Sequence, residues 1–160
     1  MAREIRTRAF CRAMLVITMA AIFLFSSQMG EKSRYISDLA ARLLGLTKSE
    51  GGLGPGATPI VMGLSLRKFA HIGSFILMGL FSYGSISSDR PRVTRMSAAM
   101  LLSYAWACLD ELHQLFVPGR AGMFSDTLVD LAGIVIGVII ALYVSVWDGK
   151  REEKTDPIVK

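Results

Sequence analysis

The sequence predicts an all-α membrane protein: a bundle of four transmembrane helices with both termini in the cytoplasm. Three observations carry this. First, the 160-residue chain is 52% hydrophobic and only 19% charged, with a mean hydropathy of +0.45, whereas about a quarter of a soluble domain's residues are charged. Second, the apolar residues gather into four stretches, each near the roughly 20 residues that cross a hydrocarbon core about 30 Å thick. Third, Lys and Arg concentrate in alternate connections. Together these exclude a soluble enzyme, a disordered tail and a nucleic-acid binder. The net charge of +5 does not revive the last of these, because membrane loops carry a basic excess too.

The spans are expected over about 10–27, 69–87, 96–117 and 128–147, as helices, which satisfy their own backbone in lipid. They form a single membrane domain over 1–148, followed by a charged, frayed cytoplasmic tail over 149–160. Eleven of the 18 Lys and Arg residues lie in the N-terminal segment, the connection holding Arg90, Arg92 and Arg95, and the tail. The positive-inside rule therefore puts these three segments in the cytoplasm.

A basic start before an apolar run is also a signal-peptide pattern, but no Ala-x-Ala-like cleavage site follows. The run ends Ser26-Ser27-Gln28, so the first span is expected to be retained. Cleavage would leave the other three spans in the same orientation.

The long outer connection starts with Ile36, Leu39, Leu43 and Leu46 at helical spacing, with Lys32, Arg34, Asp38 and Arg42 on the remaining surface. This reads as a short amphipathic helix over 32–46 lying on the membrane; a partly ordered loop is the alternative. The glycine-rich run from Gly51 to Gly56 is a flexible break, and Pro59 to Leu66 is apolar enough to return into the outer leaflet. The two cysteines, Cys11 and Cys108, sit in apolar stretches and make no disulfide framework.

Ionisable groups in lipid cost about 2.5–3.5 kcal/mol each on insertion scales, so they are the informative residues. Span three carries Asp110, Glu111, His113 and Gln114; span two begins Arg67-Lys68, with His71 one turn on; Arg120 follows span three, and Asp126 and Asp130 open span four. The predicted orientation brings all of them to the extracytoplasmic face, with Ser26, Ser27 and Gln28. At about 100° per residue, Asp110 and Gln114 share a face with Ala99, Ser103 and Ala107, and Asp126 and Asp130 share one with Gly133, Gly137, Ala141 and Ser145. The second stripe is a small-residue packing face, so the acids point between helices. Arg67, Lys68 and Arg120 nearly balance four carboxylates, which favours ion pairs between helices, such as Arg120 or Lys68 against the acids.

At these residues the chain resembles the VanZ-like family of bacterial membrane proteins. The resemblance spans about Leu24 to Gly137 and rests on Arg67-Lys68-Phe69-Ala70-His71 and, more specifically, on Asp110-Glu111-Leu112-His113-Gln114 with Pro118-Gly119-Arg120, Asp126 and Gly133. Two positions depart from the family's pattern: Met123, where a small or hydroxyl residue is usual, and Asp130, where Asn is usual. The family's name comes from a protein linked to resistance to the glycopeptide teicoplanin, and the resemblance implies an envelope-related role in the bacterial cytoplasmic membrane without supplying a reaction.

Two functions compete on this reading. In the first, the outer polar pocket binds the headgroup of a lipid or lipid-linked envelope precursor, or the glycopeptide: Arg120 and Lys68 contact phosphate or carboxylate, Asp110 and Asp126 hold those cations, and Gln114 completes the lining. In the second, an enzyme acts on a lipid-linked substrate, with Glu111 as general base, Asp110 beside it and His71 as acid or proton relay. For Ser26, Ser27, Gln28 and Gln114 a purely register-fixing role is the stronger expectation. No cofactor motif and no diagnostic metal-ligand spacing is visible, so neither is expected. Membrane lipids are the expected partners, nucleic acid is not, and homo-oligomerisation is left open. A transporter is the weakest reading, since no mid-membrane helix break appears.

Overall fold

The computed structural model describes residues 2–28, 60–61, 64–120 and 124–155, with side chains over 4–28, 69–120 and 126–147. Among these residues the regular secondary structure is helical apart from one small hairpin. The elements are α1 (Ala2–Ser26), β1 (Ile60–Val61), β2 (Leu64–Ser65), α2 (Leu66–Ser85), α3 (Arg92–Gln114) and α4 (Phe124–Thr155). The two-residue strands pair antiparallel, Ile60 with Ser65 and Val61 with Leu64, immediately before α2. The expected amphipathic helix over 32–46 and the glycine break after it lie outside the described residues.

Each helix falls on an expected apolar stretch, with boundaries moved by local chemistry. α1 starts at Ala2, ahead of the apolar run, because Arg and Glu are good helix formers. Pro91 precedes α3 with φ −52° and ψ 142°; its carbonyl accepts the first bond of the helix, from Arg95 N at 3.0 Å. α3 stops at Gln114 because the next amides turn back early, Phe116 N onto His113 O at 3.0 Å and Val117 N onto Gln114 O at 3.1 Å. At the far end, α4 continues through the charged segment to Thr155, so most of the tail expected to fray is helical. Its Lys, Arg and Glu residues favour that conformation.

α2 is the central helix, packing against α1, α3 and α4, while α4 also packs on α3. Its contact with α4 is close because glycines remove the side chains between the two backbones. A Cβ built on Gly133 would lie 2.8 Å from Ile72 O, one on Gly79 would lie 2.5 Å from Ile134 O, and one on Gly137 would run into Ile76 O. The core beside this seam consists of Phe75, Met78, Tyr83, Ile134 and Val138, all 0–1% exposed.

The distribution of polarity is inverted relative to a soluble protein. Leu101 is 72% exposed and Leu109, Leu112, Leu115 and Phe116 are exposed beside it, while Asp110, Glu111, Gln114, Thr127 and Asp130 are buried. Polar groups inside and bulky apolar groups outside suit a hydrocarbon solvent. Several serine and threonine hydroxyls are satisfied within the bundle: Thr18 donates to Met14 O at 2.7 Å, Ser74 to Ala70 O at 2.9 Å, and Ser82 and Ser103 meet at 3.0 Å between α2 and α3. Among the described residues, two helical segments are long and apolar enough to cross a membrane, Glu4–Ser26 and Asp126–Trp147; the apolar part of α2, Phe69–Ser85, is shorter. α3 is less apolar because it carries the buried acids and the interior face of the bundle.

Candidate functional site: a buried acidic cluster at one end of the bundle

The antiparallel run of the helices gathers the C-termini of α1 and α3 with the N-termini of α2 and α4. At their meeting point Asp110 is 4% exposed and Glu111 8% exposed. Asp110 Oδ2 accepts two hydrogen bonds, from Ser26 Oγ and from Gln114 Nε2, both at 2.9 Å. Gln114 Nε2 also approaches Glu111 Oε1 at 3.4 Å. Gln114 stands one turn after Asp110, so the helical repeat itself sets that pair. Ser26, on the last turn of α1, ties α1 to α3.

His71, on the first turns of α2, faces Asp130 on α4, with Nδ1 to Oδ1 at 3.7 Å. Asp130 is 1% exposed, and the charges of Asp110 and Asp126 both bear on it. Asp126 is half-buried one turn earlier on α4. Two carboxylate oxygens in this cluster, Asp110 Oδ1 and Asp130 Oδ2, are buried and receive no hydrogen bond. Buried polar atoms are nearly always paired, so two such oxygens at one end of one bundle are unusual.

Arg120 is aimed by a turn. Arg120 N donates to Val117 O at 3.1 Å, Pro118 holds the second position, and Gly119 holds the third with φ +75°. This is the type II arrangement, in which the third residue needs the left-handed region. The turn sends the guanidinium back to α1: Nη2 donates to Phe25 O at 2.7 Å and Nε to Gln28 O at 3.2 Å, while Nη1 reaches Gln114 Oε1 at 3.3 Å. A cation at a helix C-terminus meets both unsatisfied carbonyls and the negative end of the helix dipole. Gly119→Ala is therefore expected to destabilise the protein by about 1–2 kcal/mol, the cost of a left-handed residue bearing a Cβ, measured as a shift in thermal unfolding in detergent.

The site residues expected from the sequence thus come together at one end: Asp110, Glu111, Gln114, His71, Asp126 and Arg120. The side chain of Lys68 lies outside the described residues. The partners of Arg120 include Phe25 O, Gln28 O and Gln114 Oε1. Asp130, read from the sequence as a departure from the family pattern, is a carboxylate that faces His71. Its place one turn after Asp126 on the glycine face was the available signal. His113 also joins the cluster, its ring stacked on Phe23 at 4.6 Å and its Nε2 3.1 Å from Ser27 Oγ. Among the described residues, no three of His, Cys, Asp and Glu are grouped as a metal site would require.

No curated protein and no solved structure matches the chain. The family model described as VanZ/LLP1 matches residues 12–146, from the first turns of α1 almost to the end of the apolar part of α4, so the whole acidic cluster falls within the match. The chain belongs to the VanZ/LLP1 family.

Proposed function

We propose that this protein is a multi-pass component of the bacterial cytoplasmic membrane, with α2 and α3 spanning beside α1 and α4. Its acidic cluster opens to the extracytoplasmic face and binds the headgroup of a lipid, a lipid-linked envelope precursor or a glycopeptide such as teicoplanin. The positive-inside count supports the orientation, since Arg8, Arg12, Arg90, Arg92 and Arg95 occupy the opposite end. The single observation that carries the binding reading is the pair of buried, donor-less oxygens on Asp110 and Asp130. A ligand bearing an ammonium or a hydroxyl would supply the missing donors, and a charge-assisted bond of this kind is about twice as strong as a neutral one. Arg120 and Lys68 would take the anionic part of the same headgroup.

The test is ligand binding by the purified protein in detergent, using phosphatidylethanolamine, a lipid-linked envelope precursor and teicoplanin in turn. At least one is expected to bind, and Asp130→Asn is expected to weaken it about tenfold or more, the loss of one hydrogen bond to a charged group. Equal affinity in the parent and the variant for every ligand would end this reading.

A second reading, an enzyme acting on a lipid-linked substrate, draws on the His71–Asp130 pair. A carboxylate at Nδ1 orients an imidazole and leaves Nε2 for proton transfer. Glu111 and Asp110 would then flank the reacting group. Under this reading Glu111→Gln abolishes turnover but spares binding, whereas a binding protein is most sensitive at Arg120 and Lys68.

A further inference from the structure

At the opposite end of the bundle, far from the acidic cluster, a cavity of about 230 Å³ lies between α1, α2 and α4, with the start of α3 at its edge. Its apolar wall includes Leu80, Ile86, Ala141 and Val144, and its polar rim includes Arg8, Arg95, Tyr83 and Glu4. Two rim groups lack partners. Tyr83 is 1% exposed, yet its hydroxyl makes no hydrogen bond, and neither does the buried Nε of Arg95. The Arg95 guanidinium is stacked over the Tyr83 ring at 4.2 Å, and both residues line the cavity. Glu4 is occupied by Ser88 and Arg8, and Arg8 also donates to Ser87 Oγ at 2.5 Å. The rim therefore offers two guanidiniums against one carboxylate, plus a phenol with nothing to donate to.

We propose that this cavity binds an anionic phospholipid of the leaflet at the arginine-rich end, with the phosphate at Arg95 and Tyr83 and the first carbons of one chain along Leu80, Ile86 and Val144. Three features converge on that ligand. The unpaired groups are donors, so the recognised group is an acceptor. The rim is net positive, so the acceptor is anionic. The remaining walls are apolar, so the anion carries a hydrocarbon part. The volume falls below the roughly 300–1,000 Å³ typical of pockets that engulf a whole drug-sized ligand. It fits a headgroup and the neck of one chain, with the rest of the lipid in the bilayer. This site shares no residue with the acidic cluster and does not depend on what that cluster binds.

The experiment titrates the purified full chain in dodecyl maltoside with dioleoylphosphatidylglycerol, dioleoylphosphatidylcholine or inorganic phosphate, and counts bound molecules by native mass spectrometry. One phosphatidylglycerol is expected to bind at least tenfold more tightly than phosphatidylcholine. Tyr83→Phe and Arg95→Gln are each expected to weaken it about tenfold, as for a hydrogen bond to a charged group. Tyr83→Phe removes only an unpartnered hydroxyl, so its fold is expected to survive even if Arg95→Gln does not. Equal binding of the two lipids, parent-like affinity in folded Tyr83→Phe, or inorganic phosphate binding as tightly as phosphatidylglycerol would overturn the proposal.

Discussion

Gly137→Ala is expected to lower the stability of the bundle by about 3 kcal/mol, at the upper end of what overpacking usually costs, and Gly137→Leu to prevent its assembly. A Cβ at Gly137 meets Ile76 O and also lies 2.9 Å from both Ile76 C and Leu80 N. All three are backbone atoms, so no side chain can swing aside and α2 and α4 must separate. The gain in helix propensity on replacing glycine, about 1 kcal/mol, offsets only part of this. Gly73 on α2 is the internal control, because nothing lies within 4 Å of a Cβ built there. Gly73→Ala is expected to be neutral or to stabilise by up to about 1 kcal/mol. Thermal unfolding of the three variants in one detergent measures the difference. A parent-like Gly137→Ala would mean that α2 and α4 do not touch here. The same seam sets the site, since separating α2 from α4 also separates His71 from Asp130.

Helical phase made much of this architecture legible. It placed Asp110 and Gln114 on one face with Ala99, Ser103 and Ala107, and all five are buried in α3. It also placed Asp130 on the stripe with Gly133 and Gly137, which lies against α2. Glu111 is a harder case: it sits about 100° around the helix from Asp110, yet it is buried too, because α3 meets neighbours on more than one side. What phase could not supply was partner choice. The bonds of the Arg120 guanidinium to Phe25 O and Gln28 O are one example, because they are set by where its backbone aims it. The turn at Pro118-Gly119 aims it at the exposed carbonyls of α1, and that direction depends on the packing of α1 against α3. The pairing of His71 with Asp130 likewise follows from the α2–α4 contact and is local to neither helix. Average hydropathy was a weaker guide for α3, because the polar face that it buries in the bundle lowers its mean.

Asp110→Asn is expected to leave the stability of the bundle unchanged or to raise it, and Asp110→Leu to lower it by about 3 kcal/mol or more, as read from thermal melting. Both follow from the two oxygens of one carboxylate. Oδ2 receives Ser26 Oγ and Gln114 Nε2, while Oδ1 receives nothing. An Asn oxygen can keep both bonds and removes a buried charge, whose desolvation costs several kcal/mol. Leu removes the acceptor, strands the buried Ser26 hydroxyl and leaves Gln114 Nε2 only its longer 3.4 Å bond to Glu111, and an unpaired buried donor costs about 1–3 kcal/mol. The pair of variants therefore separates two purposes for the cluster. If Asp110 serves mainly to fix helix register, its charge is part of a satisfied network, and Asn should cost about 3–5 kcal/mol, as breaking a buried ion pair does. If Asn is tolerated while the wild-type charge is kept despite its cost, the charge serves something outside the folded chain, and natural sites do trade stability for function in this way. The same comparison applies at Asp130, whose Oδ2 is equally bare. A second buried acid with a bare oxygen is expected to favour a more strongly cationic headgroup than an amide at the same position would. Binding of phosphatidylethanolamine by the parent and by Asp130→Asn, compared at low and high salt, measures that difference.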